Sequence, residues 1–151
     1  GFKVSTISIT DVEELYAIKI VLEGLAGRLA TPVIHNDEQK LARIEELCQE
    51  MDVLFNQGNI ESYVQKNDQM HHYIWQSCQN KWLIKYLENL SSQVERFIVR
   101  ALLIPQRVRN SVKEHRLILK QIEFGNGKGV EKAIAHHFQN ALDDIRNELT
   151  Q

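Results

Sequence analysis

Apolar residues recur every three or four positions along almost the whole chain, and this period restricts what it can fold into. Leu15, Ile18, Leu22, Leu25 and Leu29 share one helical face. Leu41, Ile44, Cys48, Met51 and Phe55 share a second, and Leu83, Leu87, Leu90, Val94, Phe97 and Ala101 a third. Strand-like alternation is short, and the 151 residues include only two prolines and seven glycines to interrupt helices. Such stripes must be buried against one another. The expected fold is therefore all-α, an antiparallel bundle of about six helices with short connections.

Local signals set the expected limits. Thr10 and Glu13 read as a capping box for a first helix that runs to about Ala30 and is stopped by Pro32. Asn36 is expected to cap the second helix and Gly58 to end it; the third begins near Asn59 or Ile60, and Asn80 caps the fourth. Pro105 and the polar run Gln106-Arg107-Val108-Arg109-Asn110 read as a break. A short fifth helix then opens at Ser111 and Glu114, with His115, Ile118 and Ile122 on its inner face. Gly125-Asn126-Gly127 separates it from a last helix, Lys128 to Leu149, whose stripe is Val130, Ile134, His137, Ala141 and Ile145. Residues 1–9 lack a helical period and read as a linker or the end of an upstream domain, with the bundle domain over 10–151.

Charge narrows the function. A net charge of −2 argues against this segment gripping nucleic acid by itself, because phosphate binding needs a clear basic excess. No apolar run approaches the roughly 18 residues of a membrane span, and no signal peptide is visible. Cys48 and Cys78 form no CxxC and suit a reduced cytoplasm.

Three stripes carry residues that do not belong among leucines. His115 precedes Ile118 by three positions, His137 follows Ile134 by three, and Asp68 follows Val64 by four. Asp68 and His72 stand four apart, so on a helix their donors lie about 40° apart in azimuth and about 6 Å apart along the axis. A buried carboxylate is costly unless a cation meets it. Three imidazoles and one carboxylate from three helices are suitable ligands for zinc, nickel, manganese or iron, with zinc or nickel favoured over calcium or magnesium. His71 shares the stripe of Val64, Ile74 and Cys78, so periodicity leaves His71 and His72 as rivals; His136 aligns with Asn140 and Asp143 on a polar face. Two other readings stand beside a metal-dependent sensor. One is a metal-dependent hydrolase, against which the chain has no HExxH and no Glu-x-x-His pair. Glu114, about 100° around the helix from His115, is also poorly placed as its base. The other is a helical interaction module whose histidines are ordinary core residues.

The same residues resemble the FCD (FadR C-terminal) effector-binding domain of GntR-type transcription regulators. Val21 to Ala30 is similar to the family's "LE-x-x-A-x-x-LA" run, Asp68-Gln69-Met70-His71-His72 to "D-x-x-F-H", and Gln79-Asn80 to "G-N". Ser111 to Ile118 is similar to "S-x-x-E-H-x-x-I", Gly125-Asn126 to "G-D", and Ala133 to Phe138 to "A-M-x-x-H-L". The resemblance implies a metal site of Asp68, His72, His115 and His137, and a small organic acid that reaches the metal with its carboxylate. It places Lys19 where the family often has an arginine that clamps this carboxylate; lysine keeps the charge and loses the bidentate fork. Arg96 and Arg100 are further candidates for effector binding. The resemblance also implies a homodimer, expected to use the first and fourth helices on the Leu83, Leu90 and Phe97 side. DNA recognition would belong to a missing N-terminal winged helix-turn-helix; Gly1-Phe2-Lys3-Val4 resembles the end of its wing.

Overall fold

The computed structural model describes residues 8–149, the side chains of residues 96–102 and 149 excepted. Six helices follow in order: α1 (Ile9–His35), α2 (Glu38–Asn56), α3 (Ile60–Ser77), α4 (Lys81–Leu102), α5 (Pro105–Glu123) and α6 (Gly127–Leu149). No strand occurs among the described residues, so the all-α expectation holds. None of the described helices is long and apolar enough to cross a membrane.

Caps explain where the helices begin. Ser8, not Thr10, opens α1: its hydroxyl accepts from Asp11 N while the Asp11 carboxylate accepts from Ser8 N, a capping box two residues upstream of the expected one. Asp37, not Asn36, caps α2 by accepting from Gln39 N and Lys40 N. Asn59 and Asn80 start α3 and α4 as expected, accepting from Ser62 N and Leu83 N. Gly58 follows α2 with φ +69°, a left-handed conformation that glycine adopts without strain.

Two expected breaks are helical. Pro32 lies inside α1, one turn from its end, where the ring removes one hydrogen bond and little remains to be propagated. Asn36 then turns back, its side-chain amide donating to Pro32 O at 2.8 Å. Pro105 occupies the start of α5, where a missing N–H costs nothing, so the polar run Gln106 to Asn110 is the first part of α5. Ser111 is consequently mid-helix and fully buried, accepting from Tyr63 Oη at 3.0 Å.

α1 is the central element and packs most extensively against α6. Small residues allow the close approach: a methyl group on Gly27 would lie 2.4 Å from Ile134 Cδ1 and 2.9 Å from Val130 Cγ1. Leu83, Leu87 and Val94 of α4 belong to the chain's own core, and Leu90 is buried as well. Leu83 and Leu90 are therefore not available as a dimer face, and the side chain of Phe97 lies outside the described residues. Among the described residues, the large apolar side chains that α1 and α4 expose are instead Ile18, Val21, Trp82 and Tyr86.

Candidate metal centre and effector cavity

Three helices each deliver one imidazole to a single point. His71 from α3, His115 from α5 and His137 from α6 are all buried, and one nitrogen from each lies within 4.8 Å of the others. His71 Nε2 and His115 Nε2 are 3.3 Å apart. A zinc–nitrogen bond is about 2.0–2.1 Å, so two nitrogens sharing a tetrahedral ion sit roughly 3.3–3.4 Å apart. The chemistry and spacing of the three donors thus fit a divalent metal.

Burial and partners prepare the rings for that task. Burial lowers the pKa of all three below the ordinary histidine value, and for His71 and His115 the proximity of His137 lowers it further. Neutral rings are the ligand form. The outer nitrogens are held from behind. His137 Nδ1 is 2.7 Å from Glu114 Oε2, and His115 Nδ1 is 3.4 Å from Tyr63 Oη. Carboxylate and hydroxyl partners of this kind fix ring orientation and tautomer in metal sites. His71 Nδ1 has no hydrogen-bond partner, its nearest acid being Glu23 Oε2 at 3.9 Å.

Glu114 does more than hold His137. It accepts from both terminal nitrogens of Arg107 and from Asn140 Nδ2 at 2.7 Å. Desolvation pushes its carboxyl upward, but the donors from His137, Arg107 and Asn140 outweigh it and hold the group at about 2. Its position about 100° from His115 on α5 is what lets one helix supply a donor and its neighbour's support. Arg107 is 1% exposed and also reaches Asp144 at 3.4 Å. Nothing in the sequence marked Arg107, because it falls in the polar run read as a break.

The metal-ligand set expected from the resemblance needs correction on α3. Asp68 and His72 are exposed and stand at the cavity mouth; the His72 ring leans on Trp75 and lies 3.3 Å from Gln76 Nε2. Consecutive helical residues point about 100° apart, so His71 and His72 cannot both face the core. The inward face takes Asn67, Met70, His71 and Ile74, all buried. The four-residue spacing survives one position earlier: Asn67 stands to His71 as Asp68 stands to His72, and Met70 fills the apolar position between. The stripe Val64, His71, Ile74, Cys78 carried this signal, and the motif alignment shifted it by one residue. His115 and His137 lie where they were expected, and His136 is exposed.

A cavity of about 400 Å³ opens beside the three rings and is lined by Tyr16, Lys19, Asn67, His71, Arg107 and His137. Lys19, expected as the clamp on the effector carboxylate, does not stand ready as a free cation. It is 1% exposed, donates to Glu23 Oε1 at 2.6 Å and Ser91 Oγ at 3.0 Å, and sits over the faces of Phe138 and Trp75. Glu23 also accepts from Trp75 Nε1 at 2.6 Å. The side chains of Arg96 and Arg100 lie outside the described residues.

The FCD domain model matches residues 14–140. The chain belongs to the FCD domain family. YdhC of Bacillus subtilis (strain 168), an HTH-type transcriptional regulator, is 22% identical over 152 residues, a match that takes in 100% of this chain and 67% of the relative. Among solved structures, E. coli McbR/YncC is similar with a TM-score of 0.85 and 18% identity, over 95% of this chain and 71% of that one. Lar, described as controlling expression of the Listeria monocytogenes agr system, is similar with a TM-score of 0.72 and 12% identity, over 93% of this chain and 66% of that one. At these identities the two structures support the fold alone. The FCD family and the curated relative are those of transcriptional regulators, not of enzymes, which sets aside the hydrolase reading.

Proposed function

We propose that this FCD domain is the effector-sensing part of a GntR-type transcription regulator, binding a small organic acid at a divalent metal held by His71, His115 and His137. The observation that carries the reading is the convergence of three buried imidazoles, from three helices, beside a cavity of about 400 Å³. Asn67 is the candidate fourth protein donor, one turn before His71 and lining the same cavity. Three imidazoles and an amide suit zinc best, then nickel or manganese, and as neutral ligands they leave the ion's charge undiminished. A metal bound there supplies a Lewis acid for the effector's carboxylate.

The chain's own residues do the rest. Lys19 has a third N–H beyond those given to Glu23 and Ser91, and Tyr16 Oη is a buried hydroxyl without a partner on the cavity wall. Both supply donors to a ligand seated against the rings. Because α3, α5 and α6 each contribute one ring, a ligand that tightens the cluster favours one packing of the bundle over another. It can shift that equilibrium only by its differential affinity for the two states. A homodimer formed through Ile18 and Val21 of α1 and Trp82 and Tyr86 of α4 would pass the shift to DNA-binding heads outside this domain.

Calorimetric titration with a panel of small carboxylic acids, before and after chelation, tests the reading. Saturable binding that disappears with the metal, and leaves the acid unchanged, is expected. Binding indifferent to chelation, or no binding by any acid, overturns it.

A further inference from the structure

The cavity's buried cations are already matched. Lys19 faces Glu23 at 2.6 Å, and Arg107 is paired with Glu114 and Asp144. The carboxylates at the mouth are not. Asp68 on α3 and Glu88 and Glu95 on α4 line the cavity, are exposed, and make no hydrogen bond or ion pair among the described residues. Glu88 and Glu95 are seven residues apart, two helical turns, so they project from one face of α4, with Ser91 and Ser92 of the same wall between them. A plain anion on its way to the three rings passes three like charges.

An independent observation marks the interior as built for a polar ligand. Tyr16 Oη is buried and has no hydrogen-bond partner, although its side chain lines this cavity. A buried hydroxyl without a partner is costly, and a ligand oxygen resolves that cost. The site therefore has two chemically opposite ends: donors inside, from Tyr16 and Lys19 beside the imidazole cluster, and bare carboxylates at the mouth.

We propose that the effector is amphoteric, an acid whose carboxylate seats at the inner end and whose protonated amine lies at the mouth, in the negative field that Asp68, Glu88 and Glu95 set there. Amino acids with the ammonium several bonds from the carboxylate are the class that fits. The inference rests on the sensor reading above and narrows its ligand. The matching ammonium gains from three exposed carboxylates, each screened by water and salt, so the expected advantage over an uncharged analogue is about tenfold at low ionic strength.

The test is a matched pair, 5-aminopentanoate and pentanoate, titrated into the zinc-loaded protein at low salt and at high salt. The amino acid is expected to bind about tenfold tighter, and the advantage is expected to shrink at high salt. In the combined Asp68→Asn, Glu88→Gln, Glu95→Gln variant the difference between the two ligands disappears. These positions are exposed, so folding is retained, which zinc content and the melting temperature verify. Tyr16→Phe weakens both ligands alike. Pentanoate binding as well as or better than 5-aminopentanoate, or an advantage that survives the rim substitutions, overturns the proposal and leaves the sensor reading standing. If neither ligand nor any other carboxylate binds the zinc-loaded protein, the sensor reading itself fails.

Discussion

Glu114 Oε2 lies 2.7 Å from His137 Nδ1, and the same carboxylate accepts from both terminal nitrogens of the buried Arg107. One side chain on α5 thus ties the α6 imidazole to the first turn of its own helix. Glu114→Gln leaves the size and removes the charge. Arg107 then loses its main counterion while almost completely buried, a loss of about 3 kcal/mol in folding stability. His137 loses its orienting partner, and metal affinity is expected to fall about 10- to 100-fold. Urea unfolding and competition with a chromophoric zinc chelator read the two effects separately. A variant with unchanged metal affinity would show that the contact is structural only.

Acid should weaken the metal-free fold in two stages. His71, His115 and His137 are held below their ordinary pKa, burial being the largest cause, so the unfolded chain binds more protons than the folded one as pH falls below about 6.5. Stability from this source is complete above that pH and is lost as pH drops toward the lowered values. Glu114, at about 2, adds a second loss as pH falls from 4.5 toward 2. Urea midpoints of metal-free protein are expected to decline from pH 7.5 through 6.0 to 5.0. A flat profile across that range contradicts the buried, neutral cluster.

Gly27 tests the α1–α6 contact. Alanine is about 1 kcal/mol better than glycine inside a helix. The added methyl would meet Ile134 and Val130 well inside contact distance, and overpacking of that kind costs about 1–3 kcal/mol. The second effect should win. Gly27→Ala is expected to lower the urea midpoint, and a raised midpoint would mean that α6 moves aside without penalty.

The repeating stripes were enough to read six helices, because burial of one face is a property of spacing alone. Asn59, Asn80 and Gly58 marked their boundaries for the same local reason. Pro32 and Pro105 misled because proline is harmless in a last turn and at a first position, and only the path of the chain says which applies. His115 and His137 were legible since each sits among isoleucines. The choice between His71 and His72 was not settled by spacing, and the resemblance resolved it one residue too late. Arg107 and Tyr16 were silent, and Glu23 entered only as one letter of the "LE-x-x-A-x-x-LA" run: what Glu23 and Arg107 do depends on groups distant in sequence, such as Trp75 on α3 and Asp144 on α6.

In the proposed metal centre α3 contributes His71, and not the neighbouring His72, beside His115 and His137. Zinc content of purified protein, measured by elemental analysis for the parent chain, His71→Ala and His72→Ala, tests it most directly. One zinc per chain is expected in the parent and in His72→Ala, and little or none in His71→Ala. Full zinc in His71→Ala, or its loss in His72→Ala with the fold intact, contradicts the account.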